Sequence, residues 1–123
     1  ALVVLGAQPR IAVRLACGDP LDEVVLRSYA VGAAHMALGW VCSEALAVDG
    51  SGEVHDLTIR SFGVLRAVDM PPVDVAIERG DPGPDAAAAA VNGADAAFAA
   101  VAAAAWLAQG APPAWPTGHR PRG

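Results

Sequence analysis

The sequence predicts an α+β domain in which a small, mainly antiparallel sheet carries two long apolar helices on one face. Three observations lead there. Two stretches, Val24 to Leu46 and Asp85 to Gln109, are apolar, rich in small residues and too long for strands. Arg10 to Ala16 and Val73 to Glu78 contain the alternation of half-buried strands. Val48 to Val54 encloses Asp49-Gly-Ser-Gly-Glu53, which is hairpin turn chemistry. Strand, helix, two or three strands and helix is the order of an α+β layer.

Taken in chain order, Ala1 to Gly6 is apolar but too short for a secretory signal and lacks a preceding basic region. Gly18-Asp19-Pro20 ends the first strand, and Asp22 is placed to cap the helix that follows, with Glu23 in its first turn. That helix holds Gly32, Ala33, Ala34, Ala37 and Gly39. Each interior glycine costs about 1 kcal/mol of helix propensity, so a close neighbour is expected in return. After the hairpin, Asp56 to Ser61 reads as a continuing strand, with Leu57, Ile59 and Phe62 alternating. Asp69-Met-Pro-Pro72 interrupts it, and Gly80-Asp-Pro-Gly-Pro84 forces a turn before the second helix, which Asp85 is expected to cap. This helix offers mostly methyl groups and should pack closely on the first helix or on a partner. Residues 1–109 form one domain in this reading, and 110–123 a proline-rich tail, extended and partly disordered. There is no internal repeat.

Composition excludes several classes of function. With 54% hydrophobic and 17% charged residues, the chain is not a disordered tail. Eight arginines, no lysine and thirteen acids leave a net charge of −5, which argues against nucleic acid and anionic membranes as partners. Arg27, His35 and Glu44 interrupt the first apolar stretch, and Asn92 and Asp95 the second, so both read as buried helices of a cytoplasmic protein. Cys17 and Cys42 lack metal-site spacing and read as small buried hydrophobes.

The residues nominate no catalytic centre. His35 and Cys42 lie about 10 Å apart along a helix, too far for a nucleophile and its base. His35 is expected to be a packed, hydrogen-bonded side chain. His55 and His119 belong to no metal-ligand pattern, and Asp49 to Glu53 is too short for a calcium loop. Phosphate-binding and nucleophile-elbow motifs are absent. Asp19, Asp22 and Glu23 are explained by capping and solvation. No metal ligands are expected.

From Arg10 to Thr117 the chain nevertheless resembles the C-terminal part of the molybdopterin-binding subunit of the xanthine dehydrogenase and aldehyde oxidase family. Gly32-Ala-Ala-His-Met-Ala-Leu-Gly39-Trp-Val-Cys-Ser-Glu44-Ala-Leu46 carries it best, with Gly32, Leu38, Gly39, Glu44 and Leu46 matching. Asp49-Gly50 to Gly52 fits the following hairpin, Asp69 to Val75 an Asp-x-Pro strand entry, Asp85 to Ala97 an Ala-rich helix, and Pro113 to Thr117 a closing proline segment. Phe62 stands where the family usually has tyrosine.

The departures are informative. Tyr29 occupies the position of a glutamine that helps hold molybdopterin, while Met36 and Ala37 replace a glutamine–glycine pair. The Gly-rich loop that carries the family's general-base glutamate is missing, because Gly80 to Pro84 runs directly into Asp85. Two cysteines also cannot hold an iron–sulfur cluster. The resemblance therefore implies a non-catalytic structural or interaction subunit, docked on molybdenum hydroxylase subunits or on a second copy. The alternative it implies is a small subunit completing a split molybdenum hydroxylase, an oxidoreductase. In that case Tyr29, Gly32, His35 and Met36 would lie near the molybdopterin, with no cofactor held by the chain alone.

Overall fold

The computed structural model describes residues 1–55, 58–79 and 93–118. Two strands open the chain, β1 (Leu2–Val4) and β2 (Arg10–Ala16), followed by the long helix α1 (Glu23–Cys42). A short hairpin, β3 (Ala47–Val48) and β4 (Val54–His55), leads into a single helical turn, α2 (Ile59–Phe62). A 3₁₀ turn (Ala67–Asp69), the strand β5 (Val73–Glu78) and the helix α3 (Gly93–Ala108) complete it.

The α+β class and the two helices on one face are as the sequence predicts. The main sheet is mixed, in the order β1-β2-β5: β1 runs antiparallel to β2, but β5 runs parallel to it, with Val13 opposite Val75. A parallel neighbour requires a long crossover, and the chain from α1 to the 3₁₀ turn supplies it. Ile11, Val13 and Leu15 face inward and are buried, whereas Arg10 and Arg14 face solvent, where Arg14 pairs with Glu78. This is the period-two pattern of a strand with one covered face.

Helices α1 and α3 lie side by side over the inner face of the sheet. Their contact is built from small side chains: Ala30, Ala33, Ala34 and Ala37 on α1, and Ala97, Val101, Ala102 and Ala105 on α3, all buried. Methyl-sized side chains let the backbones approach closely and recover through dispersion what they lack in apolar area. The close neighbour expected of the Ala-rich helix is thus α1. By length and hydropathy α1 could span a membrane; in the fold it is a core helix, buried along this face.

Asp22 caps α1 as expected, its carboxylate accepting from the backbone N–H groups of Val24 and Val25 at 2.8 and 3.1 Å. Glu23, in the first turn, also pairs with Arg79 at 2.6 Å. The helix ends at Cys42 rather than at Leu46. Ser43 and Glu44 both donate to the Gly39 carbonyl, and the Ser43 hydroxyl donates to Gly63 at 2.6 Å. Ala45 then donates to Phe62 at 3.0 Å, so contacts with α2 outweigh the helical propensity of Glu44 to Leu46.

The hairpin forms where its turn residues place it, with Val48 opposite Val54. The strand expected to run on to Ser61 does not: Ile59–Phe62 is helical. Thr58 and Ser61 satisfy each other's backbone N–H groups in a capping box, and Gly63 closes the turn in the left-handed conformation, φ 85°. Asp56 and Leu57, the cap expected at Asp85, and Asn92 and His119 lie outside the described residues.

Over residues 110–118 the proline-rich segment is not extended but bends repeatedly, and it is held down against the helices. Thr117 and Gly118 donate to the carbonyls of Val41 and Cys42 at 2.8 and 3.1 Å. Trp106 Nε1 donates to Pro112 at 2.9 Å. These bonds tie the segment to the ends of both long helices.

Candidate interaction surface

One face of α1 is packed, and the opposite face is exposed among the described residues. Val25, Tyr29, Gly32, Met36 and Trp40 recur at spacings of four and three, which places them on one side of a helix. All five are exposed, Tyr29 at 64%, Met36 at 56% and Trp40 at 47%. The sequence alone shows a helix apolar nearly all round; only the packing reveals which side is uncovered.

At its C-terminal end the stripe runs into an aromatic cluster containing all three tryptophans of the chain. Trp40 meets Trp115 edge-on, ring centroids 4.6 Å apart, and lies 5.5 Å from Phe98. Trp106 is 6.3 Å from Trp115 on the other side. Trp115 remains 40% exposed, so the docked segment 110–118 extends the apolar surface of α1. Exposed aromatics held by rigid neighbours lose little entropy on binding, and such residues dominate protein interfaces. Sequence reasoning missed this cluster because its members come from α1, α3 and the segment that follows α3.

Of the four residues singled out for a cofactor, Tyr29, Gly32 and Met36 share this stripe. His35 does not. Its Nε2 donates to the Leu65 carbonyl at 2.8 Å, pinning the loop before the 3₁₀ turn to α1. This is the packed, hydrogen-bonded role expected of it. Tyr29, Gly32 and Met36 together offer one side-chain hydroxyl. A phosphorylated pterin calls for several N–H or cationic donors, so a partner subunit would have to supply those donors beside Tyr29, Gly32 and Met36.

Gly32 stands in the middle of α1, and a Cβ there would meet nothing within 4 Å. Among the described residues, no contact asks for glycine at this position. Gly39 and Glu44, two positions that carry the family resemblance, have a structural explanation. Glu44 folds back over Gly39, and partial burial raises its carboxyl above the ordinary value, an effect His35 opposes.

No protein-family model matches the chain, and no curated protein matches it by sequence. Solved structures do match. Quinoline 2-oxidoreductase from Pseudomonas putida 86 superposes with a TM-score of 0.65 at 16% identity, covering 79% of this chain and 12% of that one. The Cu,Mo-CO dehydrogenase superposes with a TM-score of 0.65 at 16% identity, covering 81% of this chain and 12% of that one. The chain thus has the fold of one segment within two far longer oxidoreductase chains.

Proposed function

We propose that this chain is an interaction module related to the terminal segment of molybdenum hydroxylase large subunits, and that it docks through α1 onto a protein partner of that type. The observation that carries the proposal is the stripe Val25, Tyr29, Met36 and Trp40, continued by Trp115: large apolar side chains that stay exposed among the described residues. Soluble proteins seldom expose contiguous apolar surface without a use for it. The two structural neighbours are each many times longer than this segment, so a segment of this fold has a much larger protein around it there. Gly32, with open space at its Cβ, lets a second backbone approach the middle of α1.

Mild tagged purification from the organism that encodes the chain tests this. The chain should co-elute with a long polypeptide of the molybdenum hydroxylase type, and substitution of Tyr29 and Met36 by arginine should release it. A chain that elutes alone as a monomer contradicts the proposal. The same sample separates the second reading, a piece completing a molybdenum hydroxylase, which the position of Tyr29 and Met36 on one face favours. Molybdenum that leaves the partner when Gly32→Trp releases this chain supports that reading, whereas a partner that keeps its molybdenum without the chain supports a docking module alone.

A further inference from the structure

We propose that the hairpin between β3 and β4 binds a divalent transition-metal ion of the zinc class through Asp49, Glu53 and His55. Their ligand atoms lie within 4.8 Å of one another, although the residues form no recognisable metal motif in the sequence. Pairing brings them together: Ala47 sits opposite His55, which returns the imidazole to the mouth of the turn beside Asp49. His55 Nε2 is 2.7 Å from Asp49 Oδ2.

The turn holds Asp49 ready. Its Oδ1 accepts from Ser51 N at 2.8 Å, Ser51 Oγ at 2.6 Å and Glu53 N at 3.0 Å, leaving Oδ2 to face the imidazole. Asp49 N donates in turn to the Glu53 carbonyl at 3.0 Å, so the two acidic residues are clamped across the turn. Bonds of this kind orient a metal ligand from behind.

The donor set selects the ion. One imidazole nitrogen with two carboxylates suits zinc and its neighbours, whereas calcium takes six to eight oxygens. Around a tetrahedral ion, ligand atoms sit about 3.3 Å apart, so the Asp49–His55 contact opens by roughly half an ångström and Glu53 rotates inward. The ion replaces the proton on His55 Nε2, the imidazole keeps its proton on Nδ1, and water fills the fourth position.

The test is calorimetric titration of Zn²⁺ into the whole chain at neutral pH, with circular dichroism to verify that each variant folds. One equivalent should bind. His55→Ala should abolish binding, and Ser51→Ala, which keeps every ligand but frees Asp49, should weaken it about tenfold. Absence of binding by the parent chain overturns the proposal. So does binding that survives His55→Ala, or that vanishes with Cys17→Ser, since the ion would then sit elsewhere.

Discussion

The carboxylate of Glu44 lies over the bare backbone of Gly39, where a Cβ would collide with Glu44 Oε1. The obstacle is the far end of a flexible side chain, which can swing into solvent. At Gly63 the corresponding obstacle is the Ser43 carbonyl, part of the backbone, and φ is 85°. Gly63→Ala should therefore cost about 1–3 kcal/mol, more than Gly39→Ala, whose gain in helix propensity offsets the displacement of Glu44. Urea unfolding of both variants checks the order.

Gly32→Ala should stabilise the isolated chain by about 0.5–1 kcal/mol, because the new methyl meets nothing and the helix gains propensity. Gly32→Trp should leave the fold intact and weaken partner binding. A Gly32→Ala variant that is less stable in denaturant would mean that α1 needs the glycine for itself.

Glu44 gives stability a pH dependence of known sign. Burial raises its folded pKa above the ordinary 4.5, with His35 opposing. The folded state then holds the proton more tightly than the unfolded state, so this contribution is complete below the unfolded pKa and is lost as pH rises through the folded one. Glu44→Gln removes the effect. Its stability relative to the parent should increase as pH rises from 4.5 and then level off. A difference that is flat with pH, followed by thermal unfolding, would contradict this account of Glu44.

The docked segment also protects a thiol. Cys42 is fully buried, burial pushes its pKa up, and its backbone carbonyl accepts from Gly118. Alkylation followed by mass spectrometry should modify Cys17 before Cys42. Truncation after Gln109 should speed the labelling of Cys42 severalfold, since reactivity follows exposure and thiolate character. Unchanged labelling after truncation would show that the segment does not shield the helix ends.

What could be read from the sequence was local. Asp22 caps the helix two residues ahead, the Asp49–Glu53 turn closes on itself, and the alternations at Arg10 to Ala16 and Val73 to Glu78 announce their own strands. What could not be read depends on distant partners. Pairing of β5 with β2 in parallel is settled by the crossover between them, which no alternation encodes. The turn at Ile59 is helical because a four-residue capping box overrides an apolar alternation. The surface of α1 emerges only once Ala30, Ala33, Ala34 and Ala37 are committed to the core, leaving Tyr29, Met36 and Trp40 outside.

The central claim is that this exposed face of α1 meets a protein partner. A photo-activatable crosslinker placed at Met36, with a control at Asp74 on the exposed side of β5, tests it most directly in the cells that make the chain. The account predicts an adduct from position 36, and none from position 74, with a long chain of the molybdenum hydroxylase type. No adduct from position 36, or equal labelling from both positions, would contradict it.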